Sequence, residues 1–146
     1  MPLSLPALDN LVRIGRLKAE PCNDAEVKRM LAMAQTRLAD ARLASPSPEG
    51  RFTSAYNAAH AAALAALRWH GYRSENRYTV FQSLSHTVNW PAVRWRVLDA
   101  AHQKRNLAEY EGVLDVEEST IAELCALVAE LINDVAKLIT YVPPKP

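Results

Sequence analysis

Apolar positions recur at helical spacing along almost the whole chain. Leu8, Leu11, Val12 and Leu17 predict a short first helix, interrupted at Gly15. Pro21 separates it from a second helix carrying Val27, Met30, Leu31, Ala34, Leu38 and Ala41. Asn23 followed by Glu26 has the spacing of a capping box, with Asn in place of Ser or Thr. The run Ser45-Pro46-Ser47-Pro48-Glu49-Gly50 is expected to be a loop. A third helix is predicted from about Arg51 to His70, stopping at Gly71. Eight of its positions are alanine, from Ala55 to Ala66, which favours helix and lets neighbouring helices approach closely. Phe52, Tyr56, Ala59, Ala63 and Leu67 are its expected packed stripe.

After a polar connection at 72–77, Tyr78, Phe81 and Leu84 predict a short helix ending near Val88. Pro91 suits the first turn of a fifth helix, whose expected core stripe is Val93, Val97, Ala100, Ala101, Leu107 and Ala108, with an end near Gly112. Asp115 with Glu118 suggests a cap for the last helix, which carries Ile121, Leu124, Cys125, Val128, Leu131, Ile132, Val135, Leu138 and Ile139. The tail Val142-Pro143-Pro144-Lys145-Pro146 cannot continue a helix and is expected to fray. No alternating strand pattern, repeat or linker appears. The expected fold is all-α: one domain over residues 1–146, an up-and-down bundle of four main helices with one or two short ones.

The polar half of the fifth helix changes this picture. At about 100° per residue, Asp99, His102, Arg105, Asn106, Glu109 and Tyr110 share one arc, apart from the apolar stripe. Arg105 can bind phosphate bidentately and stabilise developing negative charge. His102 can exchange protons near neutral pH. Asn106 can orient a ligand or Arg105, and Tyr110 can donate a hydrogen bond or stack on a base. The alternative is a solvated face with an Arg105–Glu109 ion pair, which contributes only about 0.3–0.5 kcal/mol.

Composition narrows the rest. Net charge is +1, so no global basic field points to nucleic acid. Cys22 and Cys125 lack metal-ligand spacing and are expected to be inert thiols. His60 reads as a hydrogen-bonded core residue, and Trp69, Trp90 and Trp95 as packing anchors. Arg68, Arg73, Arg77, Arg94 and Arg96 are available for a basic rim or for solvated helix ends. No metal site and no cofactor is expected. The first six residues do not resemble a signal peptide, and no apolar run reaches the roughly 18 residues of a membrane span, so a cytoplasmic protein without membrane contact is expected.

The order of elements, the alanine-rich helix after the Ser-Pro loop, and the stretch Asp99-Ala-Ala-His-Gln-Lys-Arg-Asn-Leu-Ala-Glu-Tyr-Glu-Gly112 resemble the HEPN superfamily of prokaryotic helical domains, over roughly residues 8–140. That resemblance implies a homodimer and a place in a toxin–antitoxin or nucleotidyltransferase-linked system. It also implies nucleotide or RNA binding at a cleft around Arg105, with an antitoxin or a minimal nucleotidyltransferase as partner. Many members resemble ribonucleases that use Arg-x(4–6)-His with a polar residue after the Arg. Arg105-Asn106 matches the start of that motif, but Tyr110 stands where an Arg-x4-His pattern has histidine, and the family's modified tyrosine would fall at Gly112. With a pKa near 10, tyrosine is a poor proton shuttle at neutral pH. Arg96 and His102 fit Arg-x5-His, yet lie about 120° apart on a helix and lack the Asn. A binding module is therefore expected first. A metal-independent ribonuclease using Arg105 and His102 is the alternative, and a non-catalytic protein-interaction bundle the third reading.

Overall fold

The computed structural model describes residues 5–43 and 46–140. The tail at 142–146 and the first residue of the 45–50 loop lie outside the described residues. The described chain is all-α apart from one pair of two-residue strands. In chain order the elements are α1 (Pro6–Arg13), β1 (Lys18–Ala19), α2 (Asp24–Ala41), α3 (Pro48–Trp69), β2 (Tyr72–Arg73), α4 (Arg77–Gln82), α5 (Leu84–Thr87), α6 (Ala92–Glu111) and α7 (Glu118–Ile139).

Local chemistry sets most of these boundaries. Asn23 Oδ1 accepts the Glu26 backbone N–H at 2.8 Å, so one half of the expected capping box is made. The Glu26 carboxylate accepts the Cys22 thiol at 3.1 Å. Helix α3 begins earlier than expected. Ser47 Oγ accepts the Gly50 N–H at 3.0 Å, and Pro48 occupies the first turn. Much of the Ser-Pro stretch read as loop is therefore a cap and a helix start. The cap expected from Asp115 and Glu118 is not made: the N-cap of α7 is Glu117, without a side-chain hydrogen bond. Strand β1 pairs antiparallel with β2 in the register Lys18↔Arg73 and Ala19↔Tyr72. Strands this short carry no alternation, which is why the sequence pattern misses them.

Helix α3 is the centre of the fold and touches each of the other long helices, α2, α6 and α7. Ala55, Ala58, Ala59, Ala62, Ala65 and Ala66 are all buried, so the helix presents small side chains in every direction. Helices that meet across alanine approach closely, and larger residues from α2 and α7, such as Val27, Leu38, Val128 and Leu131, fill the space. The first turn of α3 is tied to both neighbours through Arg51, whose Nε donates to the Ala41 carbonyl at 3.1 Å and whose Nη1 lies 2.7 Å from Glu118 Oε2.

Helix α6 packs the opposite way round from expectation. Its buried residues are Trp95, Leu98 and Ala101. Of the anticipated core stripe Ala101 is buried, but its larger members point outward, with Val93 76%, Val97 48% and Leu107 57% exposed. The large side chains decide the orientation. Trp95 is buried and donates from Nε1 to Ser85 Oγ at 2.8 Å, while the ring of Tyr78 meets it edge-on. Leu98 is fully buried. Burying these two gains more than burying two exposed valines. The start of α6 is fixed to α7 by Trp90, which donates to Asp134 Oδ2 at 2.8 Å, and by an Arg94–Glu130 ion pair. With this orientation the polar arc turns towards α3.

The alanines of α3 leave little room for larger side chains. Ala62→Leu is expected to lower stability by about 1–3 kcal/mol through overpacking, whereas Ala122→Leu, at an exposed position of α7, should change it by less than about 0.5 kcal/mol. Urea midpoints of the two variants against the wild type test the contrast.

Candidate functional site

Where α3, α4 and α6 meet, the otherwise apolar interior contains a polar network. Its hub is Tyr56, the one hydroxyl-bearing aromatic residue of α3. The ring is fully buried. The Tyr56 hydroxyl lies 3.1 Å from His102 Nδ1 and accepts from Arg77 Nη1 at 3.3 Å. The two rings stack, 5.7 Å apart and inclined by 17°. On its other nitrogen, His102 Nε2 is 3.1 Å from Asn106 Nδ2, one helical turn along α6. Both imidazole nitrogens are thus engaged, which fixes the ring plane. With the Asn106 amide donating to Nε2, the proton sits on Nδ1 and is shared with the tyrosine oxygen.

Two guanidinium groups flank the hub. Arg105 and Arg77 stand 5.7 Å and 5.8 Å from the centre of the Tyr56 ring. Arg105 also lies 3.7 Å from Glu109, a loose pair whose carboxylate is mostly in solvent. Asp99 faces the same interior, and its Oδ1 is buried without a hydrogen-bond partner among the described residues. On α3, one turn beyond Tyr56, His60 packs edge-on against Phe81.

The electrostatics follow from burial and from the two arginines. Desolvation raises the Tyr56 hydroxyl above its usual value, opposed by the positive charge of Arg77 and Arg105. His102 is shifted down, first by burial and then by Arg77, with Asp99 acting the other way. His60 falls from 6.5 to about 4, mainly through burial and then through Arg77 and His102. Both histidines are held neutral at neutral pH, so the positive charge of the site resides on the arginines.

Of the residues expected on the polar arc, Asp99, His102, Arg105 and Asn106 come together. Glu109 stands at the edge through its contact with Arg105. Tyr110 does not join them: it is 93% exposed, because the arc drifts round the helix as α6 runs past the start of α3. The sequence reading missed Tyr56 and Arg77 as site residues, placing one in the core stripe and the other on a rim. The isolation of Tyr56 and His60, one turn apart in a run of alanines, is a signal for Tyr56, while Arg77 has none. The rest of the expected basic rim is engaged elsewhere. Arg68 is buried on the carbonyls of Glu20 and Pro21, Arg73 pairs with Glu20, Arg94 pairs with Glu130, and Arg96 lies over the ring of Trp95.

Two grooves open on the network. One, of about 300 Å³, lies between the start of α3 and the end of α6 and includes Thr53, Arg105, Ala108 and Glu109. The other, of about 390 Å³, lies among α2, α3 and α4 and includes His60 and Arg77. Among the described residues, no group of three or more His, Cys, Asp or Glu side chains could hold a metal ion. Cys22 and Cys125 are both free thiols.

The chain matches no family model, no curated protein and no solved structure. Its geometry alone therefore bears on what the cluster does. The two arginines can bind an anion beside the neutral imidazole, and His102, whose nitrogens are both held by Tyr56 and Asn106, can exchange a proton with it only once one of those contacts opens.

The histidine shifts have a sign that can be tested. A histidine held below its ordinary value stabilises the fold fully above pH 6.5, and the contribution is lost as pH falls towards about 4. Stability should therefore drop through this window, with His60 supplying at most about 3 kcal/mol of the loss. His60→Asn should flatten the acid limb, as read by urea unfolding at several pH values between 4 and 7.

Proposed function

We propose that the chain is a HEPN-like helical module that acts as a homodimer and binds nucleotide or RNA phosphate at the polar cleft around Arg105. The observation that carries this reading is the inward turn of the Arg105–His102–Asn106 face onto Tyr56. A solvated face would have left these side chains unordered. Here His102 and Asn106 are ordered against Tyr56 and two guanidinium groups flank them, a charge arrangement suited to a phosphodiester. A toxin–antitoxin or nucleotidyltransferase-linked setting, with an antitoxin or minimal nucleotidyltransferase as partner, follows from the resemblance described above.

The homodimer has support of its own. Val93, Val97 and Leu107 repeat at helical spacing on the outer side of α6, a pattern that normally denotes burial, yet the monomer leaves them exposed. A second copy packing along α6 would cover them. Leu107→Asp is expected to leave the monomer folded, by far-ultraviolet dichroism, while converting the dimer to monomer in analytical ultracentrifugation.

A second reading, a metal-independent ribonuclease, is favoured by one feature. His102 is neutral and close to Arg105, the state a general base requires. One experiment separates the two readings. Wild type, Arg105→Ala and His102→Ala are incubated with labelled RNA in the presence of a chelator, and both retention and chain length are followed. The binding module predicts RNA that is retained but intact, with retention at least tenfold weaker for Arg105→Ala. The ribonuclease predicts shortening that both substitutions abolish. Equal retention by wild type and Arg105→Ala, with intact RNA throughout, would remove both.

A further inference from the structure

The groove among α2, α3 and α4 is not lined by Arg105 yet is joined to it through Arg77 and the Tyr56 hub. It is lined by Arg37, Asn57, His60 and Arg77 over a floor that includes Met30, Met33 and Leu64. We propose that this groove is a separate site for an organic anion with one charged head and a compact apolar body, and that its occupancy is relayed to His102 through the Arg77–Tyr56 contact.

The ligand class follows from the lining. Two guanidinium groups face the groove and no carboxylate does. Arg77 has no carboxylate within ion-pair distance among the described residues, and its hydrogen bond to Tyr56, at 3.3 Å, is long. Among the described residues Arg37 pairs with Asp40 alone, at 3.6 Å on a half-exposed surface, a pair that contributes little. Both can therefore turn to an anionic head. Neutral His60 and Asn57 add hydrogen-bonding groups without adding charge. The methionines and Leu64 supply an adaptable apolar floor. A volume of about 390 Å³ suits a small molecule.

The relay follows from the shared contact. A head group that draws Arg77 into the groove withdraws a donor from the Tyr56 hydroxyl. That hydroxyl is also the Nδ1 partner of His102. Changing its hydrogen bonding changes how the imidazole proton is shared. Coupling of this kind is reciprocal: a change in the Tyr56–His102 hydrogen bond itself alters affinity in the groove. The anion site does not depend on the nucleotide or RNA reading, since Arg105 lines only the other groove.

The test uses the full chain and 1-anilinonaphthalene-8-sulfonate, a sulfonate on an aromatic body, titrated by fluorescence. One saturable site is expected. Affinity should fall at least tenfold in Arg77→Ala and severalfold in Arg37→Ala, and stay within twofold in Arg105→Ala. Met33→Glu, at a largely exposed position, places a negative charge in the groove without removing core. It should abolish binding even if Arg77→Ala is poorly folded. Displacement by adenosine monophosphate identifies a nucleoside phosphate as the natural chemistry, and displacement by octanoate a carboxylate. Displacement by neither overturns the site, as does equal affinity in wild type and Met33→Glu. For the relay, the probe should shift the His102 ring resonances in wild type but not in Tyr56→Phe, which retains the groove. An unmoved His102 ring in probe-saturated wild type overturns the relay. Failure of Arg105→Ala to affect RNA would leave all of these outcomes intact.

Discussion

Everything in this fold depends on one helix that is small on every side. Helix α3 is buried on all but one narrow stripe (Thr53, Asn57, His60 and Leu64 are half-buried), and it can be so because most of its inward positions carry a single methyl group. Close approach of α2 and α7 on one side and of α4 and α6 on the other follows from that economy of volume. It also imposes a constraint. Any large polar side chain on α3 must be accommodated by its neighbours, because alanine cannot move aside for it. Tyr56 and His60 are such side chains: the helices around Tyr56 supply partners for its hydroxyl, and the ring of Phe81 packs edge-on against His60.

The orientation of α6 is the clearest case. A helix wheel assigns its valines and leucine to the core and its polar arc to solvent. The folded chain does the reverse, since Trp95 and Leu98 lie on the polar side and need burial more than Val93 and Val97 do. Once those two are buried, Asp99, His102 and Asn106 are carried inward with them. The buried hydroxyl of Tyr56 then finds its partner in His102, and the cost of desolvating both is offset by their hydrogen bond. The site is thus a by-product of where two apolar side chains sit, stabilised by complementary polar groups on three helices.

Much of this was legible in the chain. Helical periodicity, the Asn23 cap, the stop at Gly71 and the exceptional alanine content of α3 identify the elements and the central helix. The composition of the arc on α6 identifies Arg105, Asn106, His102 and Asp99 as companions. What periodicity cannot give is the direction in which an ambiguous helix faces. With two valines and a leucine on one side, and a tryptophan and a leucine on the other, the two orientations differ only through tertiary contacts. Tyr56 and Arg77 were hidden for a related reason. They come from α3 and α4, and their meeting with α6 is a long-range event with no local signature. The half-made capping box at Asn23 and the early start of α3 show the same limit at smaller scale, because competing side-chain partners decide them.

The uneven burial along α6 has a mechanical consequence. Its buried residues end at Ala101, and none of the ten that follow is buried. His102 therefore stands at a boundary in stiffness. Behind it, Tyr56 is clamped in the most densely packed helix of the molecule. Beyond it, Arg105, Asn106 and Glu109 ride on two helical turns held by little more than their own backbone. Local opening begins in such segments. The cleft joins one immobile wall to one compliant wall, and a ligand that spans both does mechanical work on the compliant one. A ligand bound across both walls would spend part of its binding free energy on stiffening the end of α6.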